Sequence, residues 1–441
     1  MGMQDSAHYQ PAQSLTTAPN WTAEPPICTI VVFTPNRTLE APMAHPTIAG
    51  PCPHCGRGPG IRDAVLAIHT ALHALALDQV LRGWRFLALC QAVAGLILVE
   101  HGAAALRVAR ALPEVSHDRL TRLLGQRDLP YLLMAALRQI AQRLPPPVWI
   151  IDDVIVPKPA MRTLAWAKSL WCPAERRYIH GLDIVVLLAV WGWLRIPLGF
   201  RLWCPKEQAC GYAPGYSYRT KLLLARDLVA EAQADGLRCQ YVTFDSWYTA
   251  RPLTGYLDAH GLIWYGAVAA NHEVALHGQR QRVDRLGRQL HDWRARRIGY
   301  RVASTQLYSY RLGQVRLTRV RVEQPKRPYL YLVTNHLAST PQPAWQAKRS
   351  RWPIEPMFRD GKQLLALGGC QVPRVEAQET HIALVLVAWV VLQLLRQAPS
   401  QTAGAVQETL VATVWGHQTR FDAAGSDLSG RCVSIPGIIA P

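Results

Sequence analysis

The sequence has no apolar run long enough to cross a membrane. Its two most apolar stretches, Phe86–Val99 and Ile382–Leu395, are each 14 residues long. A helix needs about 20 residues to span the hydrocarbon layer of a bilayer. These stretches therefore predict buried helices, and we expect no membrane partner.

Other features that would assign a function are also missing. The N-terminus has no charged-then-apolar signal pattern and the ten cysteines follow no repeating spacing, so we expect reduced thiols in a cytoplasmic protein. There is no glycine-rich phosphate-binding loop, so nucleotide hydrolysis is not expected. Cys52 and Cys55 have the spacing of a zinc-ligand pair. His45 or Cys28 would have to complete such a site, and ordinary thiols are the alternative.

Acidic residues are scarce relative to basic ones. The chain has 30 Asp and Glu against 48 Lys and Arg, which gives a net charge of +18. Because each neutralised phosphate releases counterions, this excess favours a polyanionic partner. A GC-rich genome would also favour arginine over lysine, but it does not explain the net charge. Nucleic acid is therefore the first partner to consider.

The N-terminal third divides into two parts. Residues 1–60 hold ten of the 32 prolines and predict a disordered segment, because such a composition buries little apolar surface. Residues 61–145 show helical spacing, with Ser116 as the cap of one helix. Arg119 and Arg122 lie near one face of that helix. A DNA-binding domain and a helical bundle with solvated arginines are both open interpretations.

The middle of the chain predicts a mixed α/β arrangement. Val148–Ile151 forms an apolar strand, and Gly181–Leu188 with Trp191–Trp203 forms a strand pair that turns near Gly192. Helical spacing over Thr220–Ala234 leaves Lys221 on the solvent side. The next strand, Cys239–Phe244, leads directly into Asp245.

Two strands of this region end in aspartate. Asp152 and Asp153 follow the first strand, and Asp245 follows the later one. Side chains at the ends of adjacent strands are held close together and open to solvent, where carboxylates bind a hard cation such as Mg²⁺. Strand alternation allows only one of Asp152 and Asp153 to face such a site. Either residue alone is also an ordinary turn or cap residue.

A third acid occurs in a helical segment after Pro353. Glu355, Arg359 and Lys362 fall on one helical face, while Ile354 and Met357 fall on the buried side. Such a stripe is usually solvated. Here Glu355 is expected to be exposed among basic side chains.

The three segments together resemble the motifs of the DDE transposases of bacterial insertion sequences, in the group whose signature runs Tyr-x2-Arg-x3-Glu-x6-Lys. Arg351, Glu355 and Lys362 have the matching spacing, and Phe244–Tyr248 resembles the second motif of the group. Ile151–Asp153, followed by Pro157-Lys158, resembles the first. Lys348 stands where the signature has Tyr, and Val154 stands where relatives have Thr. The resemblance covers roughly residues 115–396 and favours Asp152 over Asp153 as the first ligand.

The resemblance implies an RNase H-like catalytic core interrupted by a β-rich insertion. The 109 residues between Asp245 and Glu355 leave room for the insertion. The expected organisation is a disordered Pro-rich N-terminus (1–60), a helical domain (61–145), the first part of the core (146–254), the insertion (255–345), the C-terminal helical part of the core (346–397) and a loose tail (398–441).

The implied chemistry is two-metal phosphoryl transfer on DNA. Asp152, Asp245 and Glu355 would bind two Mg²⁺ ions, for which Mn²⁺ can substitute. The protein would bind the terminal inverted repeats of its own element, cut there and join the ends to target DNA. It would act as a homodimer in a synaptic complex on the bacterial nucleoid.

Basic and aromatic residues are the candidate DNA contacts. The insertion carries many arginines, whose alternative interpretation is a solvated face, and Trp264 or Trp293 could stack on a flipped base, although a core or surface role is the alternative for each. The full candidate set is Arg351, Lys362, Lys348, Arg359, Lys158, Arg294, Arg296, Arg297, Trp293, Arg119 and Arg122.

Two alternative functions remain open at this stage. A non-catalytic DNA-binding derivative of a transposase is compatible with the departures at Lys348 and Val154. Another RNase H-like nuclease, such as a junction resolvase, is disfavoured by the long insertion and by the Arg–Glu–Lys block.

Overall fold

The computed structural model describes residues 60–99, 104–112, 115–173, 175–212, 217–291, 293–294, 300–322 and 328–415. The predicted N-terminal segment, with Cys28, His45, Cys52 and Cys55, lies outside these residues. So do Arg296, Arg297 and the side chains of Trp293 and Arg294.

The described residues before the first strand form six helices. Ser116 caps the fifth as predicted, since its Oγ accepts the backbone N–H of Arg119 at 3.3 Å. The helices are α1 (Ile61–Ala74), α2 (Leu77–Val80), α3 (Trp84–Leu98), α4 (Ala105–Ala111), α5 (His117–Leu124) and α6 (Leu129–Ala141).

Twelve strands of the described chain form one mixed sheet. The strands are β1 (Val148–Pro157), β2 (Lys168–Cys172), β3 (Arg177–Trp191), β4 (Leu194–Leu202), β5 (Tyr241–Phe244), β6 (Trp264–Val268), β7 (Glu273–Leu276), β8 (Gln279–Arg282), β9 (Trp293–Arg294), β10 (Arg301–Ser309), β11 (Gly313–Arg321) and β12 (Tyr329–Thr334). Their order is β2-β3-β1-β5-β6-β12-β11-β10-β7-β8, with β4 paired to β3 and β9 to β10. β1, β5 and β6 run parallel, whereas the other pairs are antiparallel. The strands of the predicted insertion thus extend the same sheet that carries β1.

The remaining helices cover this sheet or follow it. They are α7 (Lys206–Tyr212), α8 (Lys221–Ala234), α9 (Arg251–Ala259), α10 (Val283–Gln289), α11 (Pro341–Ser350), α12 (Ile354–Gln363), α13 (Val375–Leu394) and α14 (Ala403–Trp415). The prediction of a loose tail from residue 398 is wrong over α14. There Ala403, Val406 and Leu410 recur at helical spacing and are buried. The helix packs against α1, α3 and α13.

Helix α13 is longer than its apolar run suggested. It has 20 residues and is long and apolar enough, by length and composition, to cross a membrane. However, 89% of its most apolar window is buried inside the protein, because α1, α3, α5, α6, α12 and β4 pack around it. This is the environment of a core helix.

The side chains of β1 alternate between two covered faces of the sheet. Trp149 and Ile151 belong to the core shared with Leu224 of α8 and Leu253 of α9. Val154 lines a small gap on the other face, together with residues of α12 and α13. Position 153 should therefore face α8 and α9, and position 152 should face α12.

Candidate active site

The register of two parallel strands brings Asp152 and Asp245 to the same level of the sheet. Ile151 of β1 is the partner of Phe244, the last residue of β5. Each aspartate follows one of these two residues. The prediction that both acids end their strands is wrong for Asp152, because β1 continues to Pro157 along β3. What ends at Asp152 is the pairing of β1 with β5.

Glu355 reaches the same place from α12, which packs on β1. Arg351, one turn earlier, connects the acids. Its Nη2 donates to Glu355 Oε1 at 2.7 Å, and its Nη1 donates to Asp152 Oδ2. Both the guanidinium and the Asp152 side chain are largely buried, being 15% and 17% exposed. An acid from the sheet and one from the helix thus share a single cation.

The loop after β5 fixes the orientation of Asp245. Its Oδ1 accepts the backbone N–H groups of Trp247 at 2.9 Å and Tyr248 at 3.2 Å. These bonds turn the chain directly after the strand. The carboxylate is consequently held by backbone on one side.

Charge interactions connect the three acids with each other and with Arg351 and Lys348. The pKa of Asp152 is raised to about 7, chiefly by burial; Arg351 opposes this rise, and the nearby charges of Asp245 and Asp153 contribute to it. Burial and Arg351 also lower the pKa of Lys348, whereas Glu355, Asp245 and Asp152 raise it. Lys348 therefore lies among the acids, where the signature of the related transposases has a tyrosine.

The donor set of this site fits a divalent cation in type and charge. Asp152, Asp245 and Glu355 offer the hard oxygen ligands that Mg²⁺ prefers, and two of them already hold a cationic group in common. Within the described ranges, no three His, Cys, Asp or Glu side chains lie close enough to hold a metal ion as they stand. The guanidinium of Arg351 occupies the space between Asp152 and Glu355, so bound metal would require this group to move.

Asp153 lies on the opposite face of the sheet from Asp152. It accepts hydrogen bonds from Lys221 Nζ and from the Tyr248 hydroxyl, both at 2.8 Å. Lys221 also pairs with Asp183 at 3.0 Å. The expectation that Lys221 faces the solvent is wrong, because the first residue of α8 lies beside Asp153 of β1 and Asp183 of β3.

Sequence reasoning assigned no role to Lys221, Asp183 or Tyr248. A signal was present for Asp183, which interrupts the apolar run of β3 and is only 3% exposed. A charge in such a position needs a buried partner. The pattern did not reveal which residue supplies it.

The predicted DNA contacts around the acids have different environments. Lys158 is a correction: it is 2% exposed, and its Nζ donates to the carbonyls of Gly368 and Cys370 at 2.8 and 2.9 Å. It therefore joins the end of β1 to the segment between α12 and α13. Arg359 is exposed and pairs with Asp360 at 3.2 Å. Lys362 is also exposed, near the residues that follow β2.

The helical arginines and the candidate stacking residue are engaged within the protein. Arg119 donates to Gln91 at 3.2 Å, and Arg122 lies over the ring of Trp84. Trp264 is fully buried, stacks on Phe244 and donates to Asp258. Its assignment as a base-stacking candidate is therefore wrong.

A cavity of about 650 Å³ opens beside Ser246, the residue after Asp245. Its wall includes Arg251, Arg282 and Arg311 together with the half-exposed ring of Tyr310. Cationic and aromatic groups, with one acid, Glu273, thus line a cavity next to the β5 loop.

Comparison with known protein families adds one finding. A sequence model of the family described as DDE superfamily endonuclease matches residues 78–324. The matched region is more than half of the chain and includes Asp152 and Asp245. It ends before Glu355, whose position at the site rests on the geometry above. No curated protein matches the chain.

Proposed function

Because the chain belongs to the DDE superfamily endonuclease family, we propose that it is a transposase. It would bind the inverted repeats at the ends of its own element, cleave DNA there and join the ends to target DNA. The observation that supports the proposal is that Asp152, Asp245 and Glu355 are neighbours around Arg351 and Lys348, with Arg351 between Asp152 and Glu355. Three acids from distant parts of the chain would otherwise have little reason to share one space.

The order of the strands supports an RNase H-like core. Strands β4, β3 and β1 are antiparallel neighbours, and β5 and β6 follow in parallel with helices α8 and α9 leading into them. In this proposal β7 to β12 belong to the insertion, and the acids lie on β1, after β5 and on α12. The division into a helical DNA-binding domain at 61–145, a split core and an insertion at 255–345 is part of the same proposal.

Asp152, Asp245 and Glu355 are the residues that would hold Mg²⁺ or Mn²⁺. Two such ions supply an activated oxygen nucleophile and stabilise the leaving oxygen of the phosphodiester. The backbone N–H groups of Trp247 and Tyr248 keep Asp245 in one orientation. Arg351, once released from Asp152 and Glu355, is free to donate to a phosphate in bidentate fashion. Lys348 adds a second positive charge at the same point.

The DNA would extend from the acids across positively charged surface. Arg359 and Lys362 follow Glu355 on exposed positions of α12, and the arginine-lined cavity begins beside Ser246. Two element ends processed together require a homodimer in a synaptic complex. The substrate also assigns the protein to the bacterial nucleoid in the cytoplasm.

The test is cleavage of DNA that carries the element ends, in the presence and absence of Mg²⁺. Wild-type protein should nick the ends only with the metal. Asp245→Asn and Glu355→Gln should lose nicking while binding the same DNA as tightly as the wild type in buffer without metal. Arg349→Gln, an exposed change two residues from Arg351, is the control that should retain nicking. Metal-dependent nicking in both acid variants would refute the proposed mechanism.

One observation favours a second candidate function, a non-catalytic DNA-binding derivative. Arg351 neutralises two of the three acids directly, and an arginine fixed there permanently would exclude metal ions. In that case the wild type would bind the ends and leave them intact at every Mg²⁺ or Mn²⁺ concentration.

A further inference from the structure

A closed group of polar side chains lies directly behind Asp152, on the α8 side of β1. It consists of Asp153, Asp183, Lys221 and Tyr248, and we call it the buried polar cluster. Each member comes from a different element: β1, β3, the start of α8 and the loop after β5. The cluster therefore joins both acid-bearing strands to the two elements next to them.

The cluster has little contact with solvent. Tyr248 is fully buried and Asp183 is 3% exposed, while the side chains of Lys221 and Asp153 are each 20% exposed. Lys221 also lies 4.6 Å from the ring centre of Trp247, which covers it on the side of the loop. No member of the cluster belongs to the set of acids that would hold metal.

Stability alone is a poor explanation for this arrangement. One lysine faces two carboxylates, and Asp183 Oδ1 has no hydrogen-bond partner among the described residues. Buried ion pairs commonly stabilise a protein no better than apolar side chains of the same volume. The arrangement is better explained by the geometry it imposes on the neighbouring acids.

Tyr248 connects the two aspartates of the active site through hydrogen bonds. Its backbone N–H donates to Asp245 Oδ1 at 3.2 Å, and its hydroxyl donates to Asp153 Oδ1 at 2.8 Å. The backbone N–H of Asp153 in turn donates to Asp152 Oδ1 at 3.0 Å. Three hydrogen bonds, linked by the covalent frameworks of Tyr248 and Asp153, thus connect one carboxylate to the other.

We propose that Tyr248 and Lys221 are positioning residues that hold Asp152 and Asp245 at the spacing needed to share a divalent cation. Tyr248 sets the distance between the β5 loop and β1, while Lys221 keeps the Asp153 carboxylate turned toward Tyr248. This inference rests on the proposed nuclease function and adds residues that touch neither DNA nor metal. Groups that orient metal ligands typically contribute about 10- to 100-fold to metal affinity.

The experiment compares Tyr248→Phe with the full-length wild type. Mn²⁺ binding is followed by electron paramagnetic resonance, and cleavage of end DNA is followed over a range of Mn²⁺ concentrations. Loss of the hydroxyl should raise the Mn²⁺ concentration for half-saturation about tenfold in both measurements. The cleavage rate at saturating Mn²⁺ and DNA binding without metal should stay close to those of the wild type.

Tyr256→Phe is the matched control. Tyr256 also donates its hydroxyl to a single side chain, Gln233 Oε1 at 3.0 Å, but it joins α9 to α8 rather than to β1. Its Mn²⁺ dependence should equal that of the wild type. Should Tyr248→Phe fail to fold, Asp153→Asn replaces it, since the amide keeps the shape of the carboxylate but has only one acceptor oxygen for the two donors Tyr248 and Lys221.

The outcomes separate this inference from the proposed function. Unchanged Mn²⁺ half-saturation in the folded cluster variant, or an equal shift in Tyr256→Phe, would overturn the positioning role while leaving the nuclease intact. A wild type that neither binds Mn²⁺ nor cleaves DNA would instead remove the proposed function itself.

Discussion

The two faces of β1 give neighbouring aspartates opposite surroundings. On the α12 side, Asp152 meets other acids, and its pKa is raised to about 7 by burial and by the charges of Asp245 and Asp153. On the α8 side, Asp153 accepts two hydrogen bonds at 2.8 Å and faces a lysine. The two side chains are similarly buried, at 17% and 20% exposed. They differ in their partners, because Asp152 shares one arginine with Glu355, whereas Asp153 accepts from two donors of its own.

This difference shows how two adjacent aspartates, Asp152 and Asp153, can have different roles. Alternation along a strand sends successive side chains to opposite faces, so one Asp is available as a ligand and the other as an internal anchor. Asp153, the anchor, directly follows Asp152, the residue whose position it would fix. Because the Asp152 carboxylate is repelled by the nearby acids, it keeps its position only if β1 is held firmly.

The largest expected effect comes from exchanging each member of the doublet in turn. Asp152→Asn should reduce end cleavage at least 10³-fold, on the order of 4 kcal/mol of transition-state stabilisation, with little loss of folding stability. Asp153→Asn should retain cleavage at saturating metal but should lower the free energy of unfolding by about 2 kcal/mol, because a hydrogen bond to a charged group is lost. Cleavage assays and chemical denaturation measure the two effects. Equal behaviour of the two variants would abolish the contrast between the faces.

The next effect concerns the cation of the buried polar cluster. Lys221→Met leaves two carboxylates without their partner and should lower the free energy of unfolding by about 3–5 kcal/mol. Lys168→Met is the control, because Lys168 pairs with Glu207 at 3.1 Å with both side chains well exposed. That change should alter the free energy of unfolding by about 1 kcal/mol or less. Similar losses of unfolding free energy in the two variants would mean that the buried polar cluster contributes no more to stability than an exposed ion pair.

A smaller effect concerns His381 of α13, a helix that packs with α12 on the Asp152 side of β1. His381 is fully enclosed there, with its Nε2 2.8 Å from the carbonyl of Ala366, and burial lowers its pKa to about 4. Between pH 6.5 and 4 the unfolded chain gains a proton that the folded protein resists. The free energy of unfolding should therefore fall by about 2 kcal/mol between pH 7 and 4.5 from this group.

His381→Gln tests this assignment, because the amide keeps a hydrogen-bond donor and does not titrate. Its free energy of unfolding should depend less steeply on pH below 6.5 than that of the wild type. His260→Gln, at an exposed position on the end of α9, should leave the dependence unchanged. The same slope in all three proteins would remove His381 as the source of the acid sensitivity.

Much of the framework was predictable from the sequence because it depends on local pattern. The apolar runs located β1 and β5, the turn at Gly192 located the β3–β4 hairpin, and Ser116 marked the start of α5. The nearness of Asp152 and Asp245 was predicted from the rule that the ends of adjacent parallel strands meet, although only the pairing with β5 ends at Asp152 and β1 itself continues. Glu355 was found by its spacing from Arg351.

The rest depended on contacts between distant segments. Lys158 and Lys221 look alike in sequence, as basic residues at the end or start of an element, and both were expected in polar surroundings. Lys158 is buried because its partners, the carbonyls of Gly368 and Cys370, lie some 210 residues away in the chain. Lys221 is largely enclosed because α8 crosses over two strands. No local pattern contains this information.

The order of the strands hides how close the far edge of the sheet comes to the acids. β8 stands seven positions from β1 in that order, yet Arg282 of β8 and Ser246, the residue after Asp245, line the same cavity. Residues of the β5 loop and of α10, which follows β8, also share one apolar core. The sheet therefore curls, and a polynucleotide strand entering the cavity would touch its far edge and the β5 loop at the same time.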